Sequence, residues 1–182
     1  MSWHYGFMTP FAKAIDGGPM SYSILPLAPV HFVGLHRALD IVAREKRFLV
    51  FTQAPPLDAA MSFYSDIIAN DSSHFVAVDD ATVVGWCDVL PTHGEARAHV
   101  GQLGIGLVPE ARHKGLGPLL MQAAITKARA KGITRIELTV RTDNSNAKVL
   151  YERFGFVLEG VQRRAMQIDG RYHDAYAMAL LL

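Results

Sequence analysis

The chain has 182 residues, a length that suits one domain with a sizeable core and is short for two. Its 18 lysines and arginines nearly balance its 17 aspartates and glutamates, so the strongly basic face of a protein that follows nucleic-acid phosphates is not expected. One cysteine, Cys87, excludes an intrachain disulfide framework and a cysteine-rich metal site, and the scattered histidines indicate no metal. A single cysteine and the lack of a long apolar run predict a cytoplasmic protein that does not span a membrane.

The N-terminal half alternates between strands and helices. Residues 1–20 lack the apolar stretch of a signal peptide, and we interpret them as a loose N-terminal extension or an alternative start that precedes a single domain of residues 21–182. Packing of this segment as a lid or a dimer arm stays open. In chain order, the pattern predicts a strand over residues 21–27, helices over 30–44 and 57–70, two strands over 74–78 and 83–89 joined as a hairpin, and a long strand over 98–108.

The C-terminal half has clearer signals. Apolar residues at helical spacing predict a helix over residues 117–130 that ends at Gly132, and a second helix over 145–154 that ends at Gly155. A strand over 135–140 separates them. The last two strands, over 156–168 and 171–181, flank the strong hairpin signal Asp169-Gly170.

This order of elements predicts a fold class of α/β in the broad sense (α+β). The sheet should be mixed and mostly antiparallel, with helices covering it. The apolar end of the last strand, from Ala177 to Leu182, is expected to be a sheet edge that pairs with a second copy in a homodimer.

A polar loop after the long strand carries the first chemical signal, Arg112-His113-Lys114-Gly115-Leu116-Gly117. This R-x-x-G-x-G spacing opens a predicted helix, whose free N–H groups and dipole attract anions, and its glycines allow close approach of the main chain. The cations at positions 112 and 114 favour a diphosphate. The spacing is neither a P-loop nor a dinucleotide fingerprint, and a turn that simply needs flexible residues is the alternative. Pro118 fits the first helical turn but has no N–H.

A second signal lies downstream, over residues 140–156. Its sequence, VRTDNSNAKVLYERFGF, resembles the V-x-x-x-N-x-x-A-x-x-L-Y-x-x-x-G-F signature of the GNAT superfamily of N-acetyltransferases at every specified position, and the loop resembles that family's acetyl-CoA signature. The resemblance covers residues 103–156 and implies acetyl-CoA as cosubstrate in a cleft between two splayed strands, without a metal. The tail is similar to branches that acetylate amino acids, other small amines or protein N-termini, so the implied acceptor is a primary amine.

The resemblance also implies roles for individual residues. Main-chain groups near Ile105 and Leu107 would hold the pantetheine arm, Arg112 and the residues His113, Lys114, Gly115, Leu116, Gly117 and Pro118 would hold the diphosphate, and Asn144 would bind the cofactor arm. Asn144 is equally a preferred helix N-cap, and the two roles can coexist. Tyr151 would protonate the departing CoA thiolate as general acid, whereas its spacing alone indicates a core aromatic.

The general base is not fixed by the resemblance. Ribosomal-protein alanine acetyltransferases carry a glutamate five residues before the signature asparagine, where this chain has Thr139. Glu137 lies on the same side of the predicted strand and is our expected substitute. His99, Glu110 and Asp88 are further candidates, and transfer to an already neutral amine without a base stays open.

Two other classes of function compete with an N-acetyltransferase. The first is a non-catalytic acyl-CoA-binding or regulatory domain on the same fold, because fold does not imply function. The second is a nucleic-acid-binding module, which rests on the basic pairs Arg112 with Lys114 and Arg163 with Arg164 and is disfavoured by the near-neutral charge. Cys87 is disfavoured as an acyl-carrying nucleophile because a buried cysteine is mostly inert.

Overall fold

The computed structural model describes residues 22–182, and the predicted extension over residues 1–20 lies outside the described residues. Three short 3-10 helices, at Pro29–His31, Glu95–Arg97 and Pro109–Ala111, connect the longer elements. Along this part of the chain those elements are β1 (Tyr22–Pro26), α1 (Phe32–Arg44), α2 (Leu57–Ala69), β2 (Ser73–Asp79), β3 (Thr82–Pro91), β4 (Val100–Leu107), α3 (Leu116–Ala130), β5 (Arg135–Arg141), α4 (Ser145–Arg153), β6 (Val157–Ile168) and β7 (Arg171–Leu181).

These seven strands form one sheet in the order β1-β2-β3-β4-β5-β7-β6. Every neighbouring pair is antiparallel except β4 with β5. The mixed, mostly antiparallel α/β architecture expected from the sequence is therefore confirmed. Among the described residues, no helix is long and apolar enough to cross a membrane.

The parallel pair β4 and β5 separates soon after it begins. Only Val100–Gln102 of β4 pair with Arg135–Glu137 of β5. Beyond this point β4 stays paired with β3 as far as Leu107, and β5 stays paired with β7 as far as Arg141. The two strands thus diverge towards their C-terminal ends and leave a gap in the middle of the sheet, which confirms the predicted cleft.

The edge of the sheet differs from the expectation. The final strand, β7, was predicted to be an edge, but it lies between β5 and β6, and the edge strand is β6. Within the apolar run the consecutive residues Met178 and Ala179 are both buried, so the strand is covered on both faces there and reads as continuous hydrophobic sequence. On β6, Val157 is 67% exposed and Val161 is 53% exposed.

Helices cover the two faces of the sheet, and consecutive strand residues point to opposite faces. On one face, which we call the α2 face, the ring of Tyr64 in α2 contacts the ring of His74 in β2. On the other, the α3 face, the neighbouring Ser73 donates a 2.8 Å hydrogen bond to the carbonyl of Ala124 in α3. Each strand side chain therefore lies on either the α2 face or the α3 face.

Local sequence explains where several elements end. Gly132, with φ +86°, follows α3, and Gly155, with φ +90°, follows α4, as expected of glycines that stop helices in the left-handed region. The β6–β7 turn contains Asp169 at φ +47° and Gly170 at φ +77°, the positive pair that a type I′ hairpin needs.

Candidate active site

A cavity of about 540 Å³ opens at the gap between β4 and β5. Its walls combine the end of β4, the loop and first turn of α3, the end of β5 and the exposed start of α4. Ten residues predicted from the sequence line it, namely Ile105, Leu107, Arg112, His113, Gly115, Leu116, Gly117, Pro118, Asn144 and Tyr151. Lys114 and Glu137 are not among its lining residues. The two sequence motifs, separated along the chain, thus meet around one space.

The first turn of α3 presents main-chain groups to this cavity. Gly115 is the N-cap residue, with φ +78°, and no side chain caps the helix. His113, with φ +60°, is also left-handed. The first N–H groups of a helix have no partner within it, and they lie at the positive end of its dipole. Because Pro118 has no N–H, the donors come from the residues before it. This geometry suits a phosphate or diphosphate ligand.

Arg112 makes contacts that the sequence does not reveal. Its guanidinium forms a two-pronged ion pair with the carboxylate of Glu45, just after α1, and its Nε donates a 3.0 Å hydrogen bond to the carbonyl of Leu107. It also lies 4.7 Å from the ring centroid of Phe48. Arg112 therefore joins the end of β4 to the segment after α1, and its charge is partly compensated at the cavity wall.

Lys114 points elsewhere in the structure. Its ammonium donates a 2.9 Å hydrogen bond to the hydroxyl of Tyr22 and lies 5.6 Å from the centroid of that ring. Lys114 therefore does not place its charge at the cavity wall, as the basic loop sequence had indicated.

Asn144 is the N-cap of α4, and its Oδ1 accepts a 3.3 Å hydrogen bond from the N–H of Ala147. The neighbouring Asp143, the other capping candidate, instead accepts two hydrogen bonds from the guanidinium of Arg141. An asparagine that caps through its oxygen still has a donor nitrogen, and Asn144 lines the cavity. Capping and ligand contact are thus compatible at this residue.

Tyr151 lies on the buried face of α4 and is 7% exposed. Its ring packs against Phe156 with 5.9 Å between ring centroids. Burial, and then the nearby Cys87, raise the pKa of the tyrosine hydroxyl well above its ordinary value. The hydroxyl is therefore protonated at neutral pH and can only act there as a donor of its proton or as a neutral hydrogen-bonding group. Tyr151 therefore packs in the core, as its spacing indicates, and also lines the cavity.

Glu137 occupies a different part of the sheet. It lies in the short ladder that joins β4 to β5, opposite Gln102. Its carboxylate accepts hydrogen bonds from Arg135 at 2.8 Å and from Arg97 at 2.7 Å, and these guanidinium groups lower its pKa. A carboxylate held by two cations is a weak base, so this geometry does not support the expected role of Glu137.

Comparisons with known proteins identify the family of the chain. The model of the acetyltransferase (GNAT) family matches residues 35–156. An L-amino acid N-acetyltransferase of Escherichia coli strain K12 is 34% identical over 105 residues, which are 57% of this chain and 65% of that protein, just under two thirds of its length. A putative ribosomal protein bS18-alanine N-acetyltransferase of Bacillus subtilis strain 168 is 28% identical over 118 residues, covering 64% of this chain and 74% of that protein.

Solved structures show the same architecture. A GNAT-family acetyltransferase from Streptococcus pneumoniae superposes with a TM-score of 0.81 at 28% identity, covering 88% of this chain and 99% of that one. A putative acetyltransferase from Salmonella typhimurium, solved with its cofactor acetyl-CoA, has a TM-score of 0.83 at 16% identity, covering 88% and 94%, and so shares the fold. Because the family match spans most of the chain and both of its motifs line the cavity, the chain belongs to the acetyltransferase (GNAT) family.

Proposed function

We propose that this protein transfers the acetyl group of acetyl-CoA to a primary amine, by direct attack of the amine within a ternary complex. The observation that carries the proposal is the cavity in the sheet gap, where both motifs meet. The two relatives are named for acetylating L-amino acids and a ribosomal-protein alanine. The acceptor is accordingly an amino acid, another small amine or a protein N-terminus.

The residues around the cavity fit acetyl-CoA along its length. The first turn of α3, at Leu116 and Gly117, supplies main-chain donors for the diphosphate. The gap side of β4 beyond Gln102 lacks a ladder partner in β5, so main-chain groups near Ile105 and Leu107 can pair with the amides of the pantetheine arm. Asn144 supplies an amide nitrogen from the opposite wall.

Tyr151 is proposed as the general acid. Attack of the amine forms a C–N bond and breaks the C–S bond, and the thiolate that leaves needs a proton. A hydroxyl that remains protonated at neutral pH is available at that moment. The proton released by the acylated nitrogen then restores the tyrosine, so the proton balance closes without another reactant.

A second candidate is an acyl-CoA-binding domain without catalysis. The observation that favours it is the position of Glu137, outside the cavity and held by two arginines. If it is correct, acetyl-CoA should raise the melting temperature while no amine stimulates release of free CoA thiol.

The experiment combines thermal melting with a thiol-release screen of L-amino acids, polyamines, aminoglycosides and alanyl peptides. We expect acetyl-CoA to raise the melting temperature, because a ligand that binds only the folded state stabilises it, and at least one amine to release thiol. Tyr151→Phe should lower kcat much more than it weakens acetyl-CoA binding, whereas Tyr172→Phe, at an exposed tyrosine of β7 outside the cavity, should change neither. No stabilisation by any acyl-CoA would contradict the proposal.

We also propose a cytoplasmic homodimer. The single cysteine, Cys87, is buried and suits a reducing compartment. The exposed apolar residues Val157 and Val161 on the edge strand β6 support pairing between copies. A monomer in light scattering at micromolar concentration would contradict the dimer.

A further inference from the structure

Three polar side chains converge under α2, beside the cavity but outside its lining residues. They are Tyr64 of α2, His74 of β2 and Asp88 of β3. The rings of Tyr64 and His74 contact edge to face, with 6.4 Å between centroids. His74 Nδ1 lies 4.0 Å from Asp88 Oδ2, too far for a hydrogen bond. We call these three residues the amine chamber.

The chamber is buried and its hydrogen bonding is incomplete. Within residues 22–182, neither ring nitrogen of His74 nor the hydroxyl of Tyr64 has a hydrogen-bond partner, although both residues are less than 5% exposed. Each such group costs about 1–3 kcal/mol of stability. Three unpartnered polar atoms in one place are therefore more than packing requires, and they point to a ligand that supplies the missing partners.

One group of the chamber, Asp88, changes its charge close to neutral pH. Burial raises the pKa of Asp88 to about 7 and lowers the pKa of His74 to about 4. Burial and the nearby Asp88 raise the pKa of Tyr64 to about 12. With His74 and Tyr64 neutral, Asp88 is the one group of the chamber that exchanges a proton between pH 6 and 8.

The chamber adjoins the cavity where β3 pairs with β4. Asp88 pairs with Gly104 of β4, the residue before cavity-lining Ile105. A Cβ at position 104 would lie 3.2 Å from Asp88 Oδ1 and 3.3 Å from Oδ2, so the carboxylate lies directly against this glycine of β4 and a side chain there would crowd it. The side chain of Asp88 is 16% exposed and is the most accessible of the three.

Tyr151 and Asp88 approach this point from opposite faces of the sheet. Asp88 shares the α2 face with His74, its partner across the ladder. Cys87, one residue earlier, points to the other face, and it is close enough to Tyr151 to affect the pKa of the tyrosine. A proton acceptor on one face and a proton donor on the other can both serve attack on a carbonyl that lies between them.

We propose that the amine chamber binds the acceptor as an ammonium ion and that the Asp88 carboxylate removes its proton before attack. This inference rests on the proposed function. The chamber takes a primary amine, with Asp88 accepting from the N–H groups and the neutral His74 and Tyr64 offering further hydrogen bonds. Transfer of one proton to Asp88 leaves a neutral nitrogen with a free electron pair. After the amide forms, Asp88 returns its proton to solvent.

The test is the pH profile of kcat/KM for Asp88→Asn with the alanyl peptide or L-amino acid that the parent acetylates fastest. An α-amino group has a pKa near 8 in a peptide, so high pH supplies the neutral amine without a base. We expect the variant to be about 100-fold or more slower than the parent at pH 6.5, in line with the usual contribution of a general base. It should recover most of the difference by pH 9 with a peptide, and at higher pH with an L-amino acid, whose amine is more basic. Titratable groups that face Asp88 are His74 on β2 and Tyr64 on α2, with Cys87 beside it on β3, and none of them has its pKa in this window.

Controls separate this role from a structural one. Asp66→Asn removes an exposed carboxylate from α2 and should leave the profile unchanged, and Asp88→Asn should keep the acetyl-CoA-dependent rise in melting temperature. Three results would overturn the inference. The first is an Asp88→Asn variant as active as the parent at pH 6.5, and the second is a loss of activity in that variant that does not change with pH. The third is a loss of activity in Glu137→Gln while Asp88→Asn keeps the parental activity. An inactive parent that still binds acetyl-CoA would overturn the proposed function as well, which distinguishes the two failures.

Discussion

Gly115, the N-cap residue of α3, has φ +78°, and replacing it with alanine should weaken acetyl-CoA binding through the backbone alone. A Cβ at this position would meet no heavy atom within 4 Å, so no steric clash is added. The remaining penalty is the left-handed conformation, which costs an L-residue with a side chain roughly 1–2 kcal/mol. Part of it is offset because alanine also restricts the unfolded chain.

The same helix offers a matched control at its other end. Gly132 has φ +86° and is equally open around its Cβ position, and it lies far from the cavity lining. Gly132→Ala should therefore lose the same stability as Gly115→Ala, which for a domain of this size lowers the melting temperature by about 2–6 °C. Differential scanning calorimetry of both variants measures this common part.

Of the two variants, only Gly115→Ala should weaken acetyl-CoA binding. Alanine can relieve its strain by rotating out of the left-handed region, which turns the N–H groups of Leu116 and Gly117 away from the diphosphate. Loss of one charge-assisted hydrogen bond costs about 1.5–3 kcal/mol, equivalent to a Kd roughly 10–150-fold higher. Isothermal titration with acetyl-CoA measures the Kd. The reasoning is refuted if Gly132→Ala weakens binding as much, or if Gly115→Ala loses stability and keeps the parental Kd.

Three further outcomes are expected. Between pH of about 4 and 7 the folded chain keeps a proton on Asp88 that the unfolded chain has released, so this group makes stability fall as pH rises. Asp88→Asn should therefore be more stable than the parent by roughly 4 kcal/mol at pH 8, and urea titrations should show the difference disappearing near pH 4. His74, with its pKa near 4, acts in the opposite sense in both proteins. Gly106→Ala should lose roughly 1–3 kcal/mol or more in chemical denaturation, because its Cβ would lie 2.3 Å from the ring of Trp86. Glu45→Gln should lower stability by about 1 kcal/mol and tighten acetyl-CoA binding at low salt, because it frees the Arg112 guanidinium; an unchanged Kd at low salt would contradict this role of Glu45.

Local patterns in the sequence predicted most elements of this fold. The turn at Asp169-Gly170 and the helix ends at Gly132 and Gly155 need only nearby residues, because a positive φ at a glycine is a property of a few neighbouring residues. The motif around Asn144 and Tyr151 likewise lies within one loop and one helix. The edge strand was assigned wrongly because strand order depends on which ladders form across the sheet, and an apolar run is typical of any strand covered on both faces.

Contacts between distant segments account for what the sequence did not reveal. Arg112 and Glu45 are 67 residues apart, and Arg97 and Glu137 are 40 residues apart, so nothing local indicates that either charge is already paired. The amine chamber draws one residue from each of three elements. Asp88 was one of several candidate bases in the sequence, and only the ladder that places it opposite Gly104 distinguishes it from the others.

The short ladder between β4 and β5 has a consequence for the mechanics of the protein. Hydrogen bonds between these strands are confined to the stretch Val100–Gln102 with Arg135–Glu137. The sheet therefore consists of two halves, β1-β2-β3-β4 and β5-β7-β6, which are joined only by this short ladder. A pantetheine arm in the gap would act as an additional strand between them. Amides at the far ends of β4 and β5 that point into the gap should then exchange with deuterium quickly in the free protein and slowly in the complex, so that the substrate itself completes the sheet that holds it.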